Sequence, residues 1–386
     1  MGTEKEMTVP ITSVGADEEQ PNAKSNAIIA EFDEKCNISD ESFEEIQREM
    51  IYSQNPFYLK TVQMNKLYDT VYQSKPPIID GLLYPGTYLF AGAPKIGKSF
   101  LMAQLAYHIS TGTELWGYSV RRRTVLYLAL EDDYRRLQER FYRMFGTEST
   151  ENLYLSVTAN QLGGGLYEQL SGFIADHSDT GLIIIDTLQK VREGGNDNYS
   201  YSSDYEIINS LKKFTDRYGV CLLIVHHTRK QHSDDRFDMI SGTNGLLGAA
   251  DGAFMLQKEK RTSNVAVLEV SGRDQQDQKL YLVRDMDKLI WNLEKTEIEL
   301  WKEPPEPVLE KVAEFITEEN PTWFGSPTEL VQALGMDIQP NTLTLKLNVN
   351  AGRLLNDYGI RYLSKRTHDG RRVSLMLEES IKRDDV

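Results

Sequence analysis

Five apolar runs of strand length punctuate the chain, at 86–91, 124–130, 181–185, 220–225 and 252–257. They lack the in-out alternation of a half-exposed strand, so each is expected to be covered on both faces. Between them, 100–106, 135–145 and 204–218 carry helical spacing, and a weaker strand is expected at 152–157. Strands alternating with helices predict a mostly parallel sheet joined by right-handed crossovers. Runs at 265–270, 280–283 and 289–293 read as further strands, the last two as a hairpin. Pro304, Pro305 and Pro307 then mark a linker.

A second pattern follows the prolines. Residues 308–318 read as a helix, and Ser326-Pro327-Thr328-Glu329 is a capping box that opens another, running to Leu334. A third helix is expected over 343–356. Strands at 362–367 and 372–377 pair across a turn whose Asp369-Gly370 is a hairpin signal. Three helices and a basic hairpin make a winged-helix-like pattern. The expected organisation is an acidic, largely disordered arm at 1–50, an α/β domain at 51–300, a Pro-rich linker at 301–307 and a winged-helix-like domain at 308–380.

Composition changes this picture little. The 386 residues are 40% hydrophobic, enough for a substantial core, and the only cysteines are Cys36 and Cys221. Two cysteines do not build a disulfide framework, so a cytoplasmic location is expected, and no apolar run is long enough to span a bilayer. The net charge of −15 argues against nucleic acid at first sight. Its distribution weakens that objection: residues 1–50 carry 13 acids against 4 bases, whereas 341–386 carry 9 bases against 6 acids. A local basic surface is sufficient for nucleic-acid contact.

The candidate chemistry starts at Gly92-Ala93-Pro94-Lys95-Ile96-Gly97-Lys98-Ser99, a complete G-x-x-x-x-G-K-[ST] phosphate-binding loop between a predicted strand and a predicted helix that opens at Phe100. Glycines let successive backbone N–H groups turn toward a phosphate, and the helix N-terminus behind them favours anions. Lys98 is expected to reach the β- and γ-phosphates of ATP, and Ser99 to ligate Mg²⁺. The run 181–185 closes on Asp186, the pattern of a strand whose carboxylate holds Mg²⁺ through water. The run 124–130 closes on Glu131, where open α/β sheets place ligand-binding groups.

With these pieces in sequence the chain resembles the RecA-like ATPases of the RepA-type hexameric helicase group, found in plasmid, phage and mobile-element replication modules. The resemblance covers about residues 78–295. It rests on the phosphate loop, Tyr127-Leu128-Ala129-Leu130-Glu131-Asp132, Ile183-Ile184-Ile185-Asp186, His226-His227-Thr228, Ser241-Gly242 through Asp251, and Gly272-Arg273-Asp274. It implies a RecA-like P-loop NTPase core, with Glu131 as catalytic base on the strand next to the phosphate loop. That loop is then expected between the Glu131 and Asp186 strands. A competing role for Glu131 is capping the next helix. His226 or His227 would sense the γ-phosphate, and the sequence leaves open which.

By the same resemblance Arg273 is an arginine finger supplied to a neighbouring subunit, although Ser271 stands where relatives often carry a second basic residue. A surface pair with Asp274 is the plainer reading. Loops at 192–203 and 229–238 would line a ring's pore, with Tyr199 and Tyr201 stacking on bases of single-stranded DNA and Arg192, Arg229, Lys230 and Arg236 meeting phosphates. In the C-terminal domain Asn348, Arg353, Lys365, Arg366, Arg371 and Arg372 are candidates for duplex DNA, with protein docking an equal alternative. The expected activity is an ATP-dependent DNA motor, with a hexamer as the expected assembly. The alternatives are a DNA-stimulated ATPase that acts as recombination mediator or helicase loader, and a nucleotide-gated origin-binding regulator.

Overall fold

The computed structural model describes residues 57, 59, 61–72, 75–192, 201–228, 244–258, 260, 262–273, 275–298, 306–367 and 370–378. The expected arm at 1–50 and most of the linker lie outside the described residues. In chain order the elements are α1 (Met64–Asp69), β1 (Gly86–Gly92), α2 (Lys98–Thr111), β2 (Thr124–Ala129), α3 (Tyr134–Phe145), β3 (Leu153–Ser156), α4 (Leu166–Asp176), β4 (Thr180–Asp186), α5 (Leu188–Val191), α6 (Tyr201–Tyr218) and β5 (Cys221–His227). There follow α7 (Asn244–Ala249), β6 (Gly252–Gln257), β7 (Val265–Gly272), β8 (Gln278–Arg284), β9 (Trp291–Ile298), α8 (Pro307–Phe315), β10 (Thr322–Gly325), α9 (Pro327–Leu334), α10 (Pro340–Val349), α11 (Ala351–Tyr358), β11 (Ile360–Thr367) and β12 (Gly370–Leu377).

Two compact units result, one spanning Lys75–Pro304 and the other joining the chain up to Ser74 with Pro305–Val386. In the first, nine strands form one sheet in the order β3-β2-β4-β5-β1-β6-β7-β8-β9. The strands from β3 through β6 are parallel, and β7, β8 and β9 extend the sheet antiparallel.

The apolar runs are continuous because alternate residues enter two different cores. Leu182 and Ile184 of β4, Leu223 and Val225 of β5, and Tyr88 and Phe90 of β1 pack with Leu101, Met102 and Leu105 of α2. Their neighbours Ile183, Ile185, Leu222, Ile224, Leu89 and Ala91 face the opposite way, against Ile208, Leu211 and Phe214 of α6 and Leu166 and Leu170 of α4. Each fully buried side chain of this kind stabilises the fold by about 1.5–3 kcal/mol relative to exposure. The strand ends are thereby held rigidly at the edge where the candidate loop lies.

The strand order overturns one expectation. β1 lies between β5 and β6, not between the Glu131 and Asp186 strands; β2 and β4 adjoin each other on the far side of β5. Periodicity reveals strand length, but each crossover chooses which strands it passes over, and that choice depends on tertiary packing. Helix α4 also goes beyond the sequence reading, which saw only a flexible turn at 161–165.

In the second unit β10, β12 and β11 form an antiparallel sheet in that order. The capping box forms as expected: Ser326 Oγ accepts from Glu329 N at 3.3 Å, and Ser326 N donates to Glu329 Oε2 at 2.6 Å. Strand β10 was not foreseen, and the single helix expected at 343–356 is two, α10 and α11, meeting at Asn350. Helix α1 joins this unit through Tyr68 O, which accepts from Asn348 Nδ2 at 2.8 Å, and through Asp69, which pairs with Arg371 at 3.0 Å. Asn348 is buried and also accepts from Tyr362 at 3.1 Å, so it is a core residue and not a DNA contact.

Candidate nucleotide-binding site

Strand β1 delivers the chain to the loop and α2 leaves it, as the strand, loop and helix signals predict. Gly92 is required by close approach: a Cβ there would stand 2.8 Å from Leu256 O. Gly97 caps α2 at φ +110°, a left-handed conformation that L side chains rarely adopt. The helix therefore starts at Lys98 with its N-terminal amides facing the loop, which is the arrangement that favours phosphate.

Lys98 is almost fully buried and folds back over the loop. Its Nζ donates to Gly92 O at 2.8 Å and Ala93 O at 3.0 Å, and stands 3.0 Å from His227 Nδ1. Burial lowers the Lys98 pKa to about 8, although Asp186 and Glu131 pull it upward. Burial and the neighbouring Lys98 charge hold the His227 imidazole below its ordinary value. Of the two histidines, His227 is the one beside Lys98; His226 is buried in β5, opposite Ala91 of β1.

Asp186 ends β4 with its carboxylate buried, which raises its pKa, while hydrogen bonds from Ser99 and Tyr127 act in the opposite direction. Tyr127 Oη donates to Asp186 Oδ2 at 3.0 Å from the adjacent strand. Glu131 lies exposed just past β2, and its Oε1 accepts from Thr187 Oγ1 at 3.2 Å. Capping of α3 falls to Asp133, whose side chain accepts from Arg136 N at 2.9 Å. Glu131 is therefore not used as a cap. Tyr127 and Thr187 were missed as site residues, because a strand tyrosine reads as core and a threonine after an acid as a turn.

The loop thus comes together with Ser99, Glu131, Asp186 and His227 at one edge of the sheet. Arg273 does not join them. Gly272 pairs with Gly252, which in turn pairs with Tyr88 near the start of β1, and Gly92 lies four residues further on, about 13 Å of strand. Arg273 is exposed at that opposite edge, where its amide donates to Asp251 O at 2.8 Å and its Nη2 to Gly248 O at 3.3 Å.

The candidate nucleic-acid residues are only partly described. Arg192 forms a buried ion pair with Asp204 at 2.7 Å, tying the residue after α5 to α6 instead of facing outward. Tyr199, Arg229, Lys230, Arg236 and the side chain of Tyr201 lie outside the described residues. Among the described residues no group of three or more His, Cys, Asp or Glu is arranged to hold a metal ion. No helix is long and apolar enough to cross a membrane.

Residues 53–233 match a family model described as an AAA domain. No curated protein matches by sequence. A solved structure of a DnaB-like replicative helicase and its interactions with primase aligns with a TM-score of 0.46 at 15% identity, covering 70% of this chain and 76% of that one. The complete phosphate loop lies within the residues that the AAA-domain model matches, and together they support ATP hydrolysis; Lys75–Pro304, which carries the loop, has a mostly parallel α/β sheet.

Proposed function

We propose that the protein is an ATP- and Mg²⁺-dependent motor of the RepA-type helicase group, acting as a ring on single-stranded DNA. The observation that carries the reading is the convergence of Glu131, Asp186 and His227 on the Lys98 loop while Arg273 sits at the opposite edge of the sheet. Among the described residues Arg273 stands away from the loop and is exposed, so it is suited to reach the site of a second copy. This is the physical reason for a ring of subunits, in which Arg273 would neutralise charge on the neighbour's transferring phosphoryl group.

In hydrolysis a water attacks the γ-phosphorus in line, the bond to the β-phosphate oxygen breaks, and Glu131 accepts the water's proton. ADP and phosphate result. Thr187 orients the Glu131 carboxylate, and Lys98 leaves the loop carbonyls for the phosphate oxygens. The donor set fits Mg²⁺, which is typically held by one or two protein groups together with substrate phosphates. Ser99 and Asp186 are already hydrogen-bonded to each other, and burial disfavours the charged Asp186 carboxylate, a cost that a bound cation would offset. When bound, the ion would supply charge neutralisation between the β- and γ-phosphates.

His227, the last residue of its strand, links the γ-phosphate position to the chain that continues into 229–238, one of the two proposed DNA loops. In the C-terminal unit, the order helix, strand, helix, two further helices and hairpin supports a winged-helix domain for duplex DNA or protein. The test is strand displacement on a forked duplex with solution mass measured in parallel. Unwinding by an oligomer, abolished by Glu131→Gln with ATP binding retained, is expected. Hydrolysis without unwinding would support the mediator or loader alternative, and a monomer that neither assembles nor unwinds would overturn the proposal.

A further inference from the structure

On the β6 to β9 side of the phosphate loop, cationic and aromatic side chains alternate. The Arg284 guanidinium lies 4.4 Å from the centroid of the Phe100 ring and 5.7 Å from that of Trp291, and Lys258 Nζ lies 5.3 Å from the Trp291 ring. Arg140 also stands 4.9 Å from the Phe100 ring and pairs with Asp132 at 2.5 Å. Trp291 is the rigid centre of this group. Its backbone N and O are gripped by the Gln104 side chain of α2 at 2.7 and 2.8 Å, and its ring would meet a Cβ on Gly97 at 3.1 Å. The cluster is therefore continuous with the phosphate loop.

Its hydrogen-bonding is incomplete. Among the described residues, Arg284 Nε and Gln257 Nε2 are buried atoms with no acceptor, and both sit at strand ends on the loop's edge of the sheet. Arg284 also lies close to two other cations, since burial and then Arg143 lower its pKa, while burial and then Arg284 lower that of Lys258. Arg143 itself donates to Asp287 O at 2.9 Å and Met286 O at 3.0 Å, pinning the turn that follows Arg284. Side chains at the loop's edge that carry unpaired donors gain from an acceptor-rich ligand that draws those donors out. A planar guanidinium also presents a face on which an aromatic ring can stack.

The direction of the nucleotide follows from the strand order. Glu131, Asp186 and His227 come from β2, β4 and β5, all on one side of β1, so they claim the γ-phosphate end. The nucleoside then leaves on the other side, toward the ends of β6 and β8 and the start of β9. We propose that Arg284, Lys258 and Gln257 form the nucleoside end of the site, with Arg284 stacking on a purine base and Gln257 and Lys258 meeting its ring nitrogens or ribose oxygens. This rests on the ATPase reading and adds where base recognition resides.

The test compares binding of ATP with binding of inorganic tripolyphosphate, both with Mg²⁺, by calorimetry. Arg284→Ala is expected to weaken ATP roughly 5- to 30-fold, the range of a desolvated cation–π contact, while tripolyphosphate binding stays within about twofold. Retained tripolyphosphate binding also shows that the loop is folded. Arg284→Lys keeps the charge without the planar face, and is expected to show most of the same selective loss. Equal weakening of both ligands by Arg284→Lys, or no loss of ATP affinity in either variant, would overturn the assignment. A wild-type chain that binds neither ligand would instead sink the ATPase reading and this inference with it.

Discussion

Nucleotide binding should take up a proton, because Lys98 is buried without a full counter-charge until phosphate arrives. With its pKa lowered to about 8, the nucleotide-free lysine is about one-tenth neutral at pH 7, half neutral at pH 8 and nine-tenths neutral at pH 9. Phosphate oxygens beside Nζ favour the ammonium form, so binding restores the missing proton. Uptake per nucleotide should therefore rise from about 0.1 at pH 7 to about 0.5 at pH 8 and 0.9 at pH 9, while affinity falls toward tenfold per pH unit above pH 8. For folding, the sign is that of a lowered base. The folded chain binds fewer protons than the unfolded one between about pH 8 and 10.5, so Lys98 makes stability rise with pH across that window.

Calorimetric titration with a non-hydrolysable ATP analogue at pH 8, in two buffers of different ionisation enthalpy, reads the uptake from the difference in apparent heat. His227 does not confuse the result, since its pKa is held below the ordinary value and it is neutral at pH 8. Lys98→Met removes the titrating group, and any residual binding should show no buffer dependence. Equal heats for the wild type in both buffers at pH 8 would refute the reasoning.

Arg273→Ala should leave assembly and nucleotide binding intact but lower DNA-stimulated hydrolysis by about 10³-fold or more, as loss of an arginine finger does. Mixing it with Glu131→Gln subunits should restore activity at interfaces where an intact Arg273 meets an intact Glu131; no recovery on mixing would count against a role across subunits. Arg192→Ala should destabilise the fold by about 3 kcal/mol, because it removes the cation 2.7 Å from the buried Asp204 carboxylate. Thermal or urea unfolding checks this, and a change in DNA affinity with unaltered stability would return Arg192 to the surface role first expected of it.

Much of the candidate site was legible because its signals are local. A phosphate loop must have glycines where the backbone crowds a neighbour, as Gly92 does against Leu256 O, and where φ is positive, as at Gly97. Strands buried on both faces must be apolar throughout, so β1, β2, β4, β5 and β6 were visible as runs, and the acids at their ends stood out against them. The capping box at Ser326 and the Asp369-Gly370 hairpin signal are local in the same sense. Strand β10 was harder to see, since its four residues gain their place only by pairing with β12, about fifty positions away in sequence.

Tertiary structure decided which of those strand ends meet. Neither the separation of β1 from β4 by β5 nor the position of Arg273 at the far edge is encoded in any window of sequence. Both depend on which neighbours each crossover passes. The same holds for partners: Asn348 and Arg192 look like nucleic-acid contacts until Tyr362 and Asp204 are seen to claim them. By itself the sequence determined the residue types that a phosphate site needs and the edge of the sheet that would carry them. Only packing could decide which of two histidines faces Lys98, because a one-residue change of register turns every side chain of a strand to its other face.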